Sequence, residues 1–306
     1  MSENFRMLYY DTLGLKNVNQ KKTLELLLSE DPLNQDKLRS FSHQFILPAI
    51  YRSLVWRVLL DIAPVNKDSS SFVNTERQGH YDDLKQALVS MHMFTEKADP
   101  SNQPEIRKST TKNIVLMYLL DKGMLSVLHG NILKRDGHKI FVLESITKIV
   151  CGIISDECDC FWISKYLYDR QEMFISSFGK MPHYVQYYLQ LEDQRLFEHL
   201  CEIQLFKLIP YDRWFQTYFS SIFNDCLEYL EKVLDKLVAG SCNILVFVCV
   251  ALLLTFSLKL KQLRSSEEAL KLLSHLKEDA GLTVIEKTME LWDQHRNTFC
   301  TVCGCH

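Results

Sequence analysis

Apolar and polar residues follow one another along most of the chain at the three- and four-residue spacing of amphipathic helices. In one such segment Tyr81, Leu84, Leu88 and Met91 fall on one side, and Phe94 continues the stripe. Helices are predicted at 21–30, 47–64, 75–94, 113–133, 183–200, 210–223 and 265–278, and in the opening and closing stretches. Two more, within 138–178, are separated near the acidic sequence SDECD. The pattern predicts an all-α fold of about a dozen helices or more, with no significant sheet.

The most apolar stretch is 241–260, SCNILVFVCVALLLTFSLKL. As a helix, Ile244 to Leu258 would span roughly 22 Å, against about 30 Å for the hydrocarbon core of a bilayer. Thr255 and Ser257 interrupt it, and lysines flank it on both sides. Its β-branched residues would also suit a buried strand. We predict a buried core helix, with a buried strand and a membrane segment as alternatives.

Local signals place several boundaries. Asp31 and Pro32 are predicted to cap and open a helix, and Ser265 with Glu268 forms a capping box. The segment 65–74 is predicted to be a polar loop, and 96–113 is the longest linker-like stretch.

The composition supports a globular, helical protein. The chain has 306 residues, 47% of them apolar, but only ten glycines and seven prolines. A net charge of −3 gives no indication of nucleic acid or an anionic membrane as partner. The start resembles no secretory signal, so the ten cysteines are expected to be reduced and the protein to be cytoplasmic.

Generic catalytic signatures do not occur in the sequence, and no cofactor or metal is predicted. Cys300, Cys303, Cys305 and His306 offer four zinc ligands, but their spacing is unfavourable, and a disordered tail is the preferred interpretation. The acidic group Asp156, Glu157 and Asp159 could bind a cation; we interpret it as a helix start that complements the macrodipole.

Three tryptophan motifs occur in order: LPAIYRSLVWRVLLDI, DCFWISKYLY, and YDRWFQTYFSSIF followed by VLDKLVAGSCNILVFVCVALLL. Together they resemble the TBC domain, the all-helical fold of Rab-type GTPase-activating proteins. The residues that carry the resemblance are Arg52, Trp56, Phe161, Trp162, Arg213, Trp214, Phe215, Phe219, Asp235 and Gly240. It covers roughly 45–260 and puts the apolar stretch where the family has a buried helix. Leu234 stands where the family usually has tryptophan.

The resemblance implies a domain scheme. Residues 1–44 would be a helical extension that packs on the domain, 45–262 the TBC-like domain, 263–298 further helices of the same fold, and 299–306 a disordered tail.

Active family members carry an arginine finger in IxxDxxR and a glutamine finger in YxQ, between the first tryptophan helix and the FW helix. Here LxxDxxR occurs at Arg39 and YxQ at Gln186, both outside that interval. Inside it, Arg77, Arg107 and Arg135 have no aspartate three residues earlier. The resemblance therefore implies that the fold is kept and the paired-finger chemistry is lost.

The likeness is closest to a family member that is the third subunit of the tuberous sclerosis complex. It implies a non-catalytic scaffold that binds the hamartin coiled coil and, indirectly, tuberin. That complex activates GTP hydrolysis by Rheb and restrains mTOR growth signalling at the lysosome. The alternatives are an active protein for a Rab-family GTPase and, less favoured, a membrane-anchored protein.

A coiled-coil partner requires an apolar groove or helix face. Tyr81, Leu84, Leu88, Met91 and Phe94 are the predicted partner-binding residues, and packing of the same face on the protein's own core is the alternative.

Overall fold

A computed structural model describes residues 16–95, 103–125 and 137–303 of the chain. These residues form fifteen α-helices. Their bounds are Lys16–Ser29 (α1), Gln35–Gln44 (α2), Ala49–Leu59 (α3), Ser70–Ser90 (α4), Gln103–Asp121 (α5), Gly137–Ile153 (α6), Glu157–Phe178 (α7), Met181–Glu192 (α8), Gln194–Glu202 (α9), Tyr211–Gln216 (α10), Glu231–Val238 (α11), Ile244–Thr255 (α12), Ser257–Leu260 (α13), Ser266–Leu273 (α14) and Glu278–Cys303 (α15). Short 3₁₀ turns occur at Lys67–Ser69, Leu205–Lys207 and Leu227–Leu230. No strand occurs among the residues described, which confirms the all-α prediction.

The apolar helix α12 lies at the centre of the fold. Every side chain from Ile244 to Leu253 is buried, on all sides of the helix, because α8, α11 and α15 pack around it. The Phe247 ring lies 5.0 Å from the Tyr188 ring and 6.1 Å from the Trp292 ring. The core-helix prediction is confirmed. Within the described ranges, no helix combines the length and apolarity needed to cross a bilayer.

A second group of helices surrounds α7, which packs against α3, α4, α5 and α6. The break predicted near SDECD falls between α6 and α7. Asp156 is the N-cap of α7, since its side chain accepts a hydrogen bond from the Asp159 backbone N–H at 2.7 Å. The acidic group therefore begins a helix, as predicted.

Several predicted boundaries differ from the structure. The N-cap of α2 is Asn34, which bonds the Lys37 N–H, and not Asp31. Ser265 precedes α14 but makes no side-chain capping bond. Polar residues also begin helices here: α4 starts inside the predicted loop 65–74, and α5 starts inside the predicted linker 96–113. In both helices the buried apolar positions come later, so the sequence pattern shows only their second halves.

The predicted helix 210–223 ends early. The backbone is helical only to Gln216, and Tyr218 and Phe219 have φ angles of 49° and 62°. Both side chains are completely buried. Burial of two large aromatic rings outweighs the cost of the left-handed backbone, about 1–3 kcal/mol for a non-glycine residue.

The last helix, α15, is hydrogen-bonded to the end of α2. Trp292 of α15 donates its Nε1–H to the His43 carbonyl at 2.9 Å. α15 continues to Cys303. The side chains of the predicted tail and its possible zinc ligands lie outside the described residues.

Seven cysteines have described side chains, and none of these seven is in a disulfide bond. Four of these thiols are buried: Cys158, Cys160, Cys226 and Cys249.

Candidate functional site

One buried carboxylate joins the first and third tryptophan motifs. Asp235 of α11 accepts hydrogen bonds from Trp56 Nε1 at 2.9 Å, Arg52 Nε at 3.1 Å and the Leu47 backbone N–H at 3.1 Å. Arg52 and Trp56 are four residues apart on α3, so both reach the same carboxylate. Arg52 also pairs with Glu231 at 2.6 Å. The motif residues therefore fix α3 against α11, and their role is structural.

The neighbouring Lys236 is also buried. Its ammonium donates to the Ser42 and Phe45 carbonyls, at 2.6 and 2.7 Å, at the end of α2. Burial lowers the pKa of Lys236 to about 8, although Asp235 opposes that shift. From the sequence, Lys236 was only one of the lysines that flank the apolar stretch. A lysine on an amphipathic helix is expected to be exposed, so its burial was not predicted.

Arg39, the arginine of the misplaced LxxDxxR pattern, belongs to the same region. Its Nη1 donates to the Ala239 carbonyl at 3.1 Å, and Arg170 donates to the Val238 carbonyl at 2.6 Å. These two guanidinium groups satisfy carbonyls at the end of α11. Gln186 lies half-buried on α8, whose apolar side packs on α12.

A second ionic cluster lies where α3, α4 and α7 meet, in the interval where active family members carry their fingers. Asp159 accepts a hydrogen bond from Ser53 Oγ at 2.7 Å. It also pairs with Arg57 and Arg77, each at 3.4 Å. One carboxylate at the start of α7 therefore binds both guanidinium groups.

Trp162 of the FW motif is surrounded by cationic and polar side chains. The Arg77 guanidinium lies 5.5 Å from the centre of its ring, and the Lys165 ammonium lies 4.9 Å away. Its Nε1–H donates to the Arg77 carbonyl at 3.3 Å. The Asp121 carboxylate lies 2.7 Å from Lys165 Nζ and 2.9 Å from His80 Nε2. Burial opposes ionisation, but these two hydrogen bonds hold the pKa of Asp121 below its usual value.

A cavity of about 390 Å³ opens beside this cluster. Its lining residues are Arg57, Asn74, Arg77, Gln78, Asp156, Cys158 and Asp159. The Arg77 side chain is only 9% exposed. Burial lowers its pKa, and Asp159 opposes that shift. To reach out as a finger, Arg77 would have to leave both Asp159 and the Trp162 ring.

The other arginines of the interval are placed differently. Arg107 is exposed on α5 and lines a different cavity, beside Glu157. Arg135 lies outside the described residues. In the sequence analysis Arg77 appeared only as an arginine without an aspartate three residues earlier. Asp159 appeared only as part of an acidic helix start. Nothing in the pattern indicated that the two would pair.

The predicted partner-binding face is in the protein's own core. Tyr81, Leu84 and Leu88 are 5%, 8% and 0% exposed. The Tyr81 ring lies 6.1 Å from the Phe161 ring. Met91 is half-buried, and Phe94 packs partly buried against the same core. The face is not available to a partner in this conformation, because it is the side by which α4 packs on α7.

Comparison with known proteins identifies relatives of the whole chain. A profile described as the Rab-GTPase-TBC domain matches residues 143–261. TBC1 domain family member 7 of Homo sapiens is 36% identical, over 96% of this chain and 96% of that protein. The proteins of the same name from Xenopus tropicalis and Danio rerio are 35% and 30% identical, over 95% and 96% of each chain respectively.

Two solved structures are similar in fold. The Ypt/Rab-GAP domain of Gyp1p has a TM-score of 0.56 at 17% identity, covering 91% of this chain and 99% of that one. The Chlamydomonas flagellar RabGAP TBC domain has a TM-score of 0.57 at 14% identity, covering 95% and 94%. At these identities the likeness concerns the fold alone.

Proposed function

The chain belongs to the Rab-GTPase-TBC domain family, and from this premise we propose that it is a non-catalytic subunit of a GTPase-activating complex. Its proposed partner is the coiled coil of hamartin, with tuberin bound indirectly. Tuberin would supply the activity toward Rheb that restrains mTOR growth signalling. The proposed location is the cytoplasm, with recruitment to the lysosomal surface through the complex.

The proposal that the chain is non-catalytic rests on the burial and the partners of Arg77. It lies in the finger interval of the sequence, but it is buried, paired with Asp159 and packed on Trp162. An arginine finger acts by placing its charge against the transferred phosphoryl group, so a guanidinium committed to an internal carboxylate is unsuited to that role. The sequence of the interval also contains no YxQ glutamine.

The subunit part rests on the extent of the similarity. The relatives match this chain over almost their whole length, including the helices before and after the family profile. Those outer helices are integrated into the fold: α2 receives hydrogen bonds from Lys236 of α11 and from Trp292 of α15. Similarity over the whole chain, outer helices included, supports a common role for this chain and its relatives.

Exposed aliphatic side chains occur on α1 and before and within α3. Leu26 is 70% exposed, Ile46 42% and Ile50 71%. The Tyr51 hydroxyl donates to Glu25 at 2.8 Å, so Leu26 and Ile50 are each one residue from this contact between α1 and α3. We place the hamartin coiled coil on this aliphatic surface, since a coiled coil presents apolar side chains along one seam.

Binding of a purified hamartin coiled-coil fragment tests the proposal. Leu26→Asp with Ile50→Asp should leave the melting temperature within a few degrees of the parent, because exposed positions contribute within about 0.5 kcal/mol. The same pair should weaken binding at least about 100-fold, since a charge is buried at each contact. The matched control is Leu258→Asp, at a position 81% exposed on α13, which should bind normally.

Unweakened binding by the Leu26 and Ile50 variant would reject the aliphatic surface. Absence of binding by the parent chain would reject the hamartin assignment itself. The alternative function is activation of a Rab-family GTPase, which the names of both structural neighbours suggest. It requires a catalytic arginine; in the described part of the interval Arg77 is buried against Asp159, and Arg107 is exposed but has no aspartate three residues earlier.

A further inference from the structure

Two cysteines lie on either side of the short connection between α6 and α7. Cys151 lies in the last turn of α6, and Cys160 lies in the first turn of α7. The Cys160 thiol is 3.2 Å from the Ile154 carbonyl oxygen, just beyond the end of α6. Interaction with the Cys151 thiol raises the pKa of Cys160. The connection of three residues between the helices places the two cysteines at the same junction.

Both thiols line one cavity of about 270 Å³. Cys151 is half-buried, while Cys160 is only 2% exposed. Two charged side chains line the same cavity, Arg107 and Glu157. A small oxidant entering the cavity therefore reaches Cys151 first, and Cys160 is placed behind it. The hydrogen bond with Cys151 and burial both raise the pKa of Cys160, so Cys160 reacts as the second thiol.

We infer that Cys151 and Cys160 form a reversible oxidation site for hydrogen peroxide or an alkyl hydroperoxide. The Cys151 thiolate attacks one peroxide oxygen and breaks the O–O bond. Cys151 becomes a sulfenic acid, and the other oxygen leaves as water or, from an alkyl hydroperoxide, as an alcohol after taking up a proton.

Cys160 sulfur then attacks the Cys151 sulfur, and the S–S bond forms as the S–O bond breaks. The hydroxyl group leaves with the Cys160 proton as water. The two thiols have supplied two electrons, and the peroxide has been reduced. A small thiol reductant reverses the step by thiol–disulfide exchange. Both thiols line the cavity at the connection between α6 and α7, so the bridge would form within that cavity.

The experiment treats the purified, reduced full chain with about one equivalent of hydrogen peroxide, blocks the remaining thiols and maps the peptides. We expect an intramolecular Cys151–Cys160 bridge, seen as a loss of about 2 Da per chain and restored by a thiol reductant. Cys151→Ser and Cys160→Ala should each abolish it. The first of these changes a half-buried position, so it tests the site even if the second variant folds poorly.

Two matched controls keep both members of the pair. Cys158→Ser removes a buried thiol two residues from Cys160, and Cys201→Ser removes an exposed one. Both should form the bridge as the parent does. The inference is overturned if the bridge contains Cys158 or joins two chains. It is equally overturned if Cys201 is oxidised while Cys151 and Cys160 stay reduced, or if Cys151 proceeds to sulfinic acid without a bridge.

Discussion

Asp235→Ala tests how the tryptophan motifs hold the fold together. Asp235 is completely buried and receives three donors, from Trp56, Arg52 and Leu47. Alanine would leave the Trp56 and Leu47 N–H groups unsatisfied, at about 1–3 kcal/mol each. It would also remove the closest buried counter-charge of Arg52. Breaking a buried ion pair costs about 3–5 kcal/mol, and the contributions are not additive, so we expect a loss of about 3–5 kcal/mol in total.

The assay is urea unfolding at equilibrium, with the free energy taken from the midpoint at an unchanged slope. Glu231→Ala is the matched control on the same helix. Glu231 pairs with the same arginine but is 32% exposed, so its loss should cost about 1 kcal/mol or less. Asp235→Asn should fall between them, because an amide nitrogen would face the Leu47 N–H. An Asp235→Ala loss no larger than that of Glu231→Ala would refute the anchoring role.

Three further predictions concern the core and its titration. Val248→Asp should give unfolded or aggregated protein, because it puts a charge at a position 0% exposed in α12; a soluble variant with the parent's melting temperature contradicts this. Leu84→Asp should likewise unfold the free chain, and a folded variant that only loses partner binding would restore α4 as the interface. His43 has its pKa lowered from 6.5 to about 4 by burial and by nearby Lys236 and Arg39. The unfolded chain therefore binds the proton first, and stability is lost as the pH falls from 6.5 toward 4. His43→Gln should lose less stability than the parent over that window in urea titrations; an equal loss refutes it.

The helical class and the central helix could be predicted from the sequence because both depend on local spacing. Ile244 to Leu253 has no polar interruption, and a stretch of that length has few alternatives to a buried helix. The start of α7 could also be predicted from the sequence, because the N-cap and the acidic first turn lie within a few residues of one another.

The site depends on contacts between distant residues, and the sequence could not give these. Arg77 and Asp159 are 82 residues apart, and their pairing follows from how α4 packs on α7. The same packing buries Tyr81 and Leu88, which the sequence analysis predicted as partner-binding residues. An apolar stripe looks alike whether it faces the chain's own core or a partner, so periodicity could not decide between them.

Lys236 illustrates a further limit. Its burial depends on two carbonyls at the end of α2, nearly 200 residues away in the sequence. Only the tertiary structure brings those acceptors to the ammonium group, so sequence position alone makes the side chain read as exposed.

Single-turnover GTP hydrolysis tests the central claim most directly. The purified chain would be mixed with a panel of GTP-loaded Rab-family GTPases and with Rheb. We predict that each GTPase still hydrolyses GTP at its intrinsic rate in the presence of the chain. The reason is that Arg77 is paired with Asp159 and Arg39 is bonded to the end of α11. An arginine finger supplied in trans accelerates hydrolysis about 10³- to 10⁵-fold. An acceleration above about 10³-fold by the pure chain, abolished by Arg77→Ala or Arg39→Ala, would contradict the account.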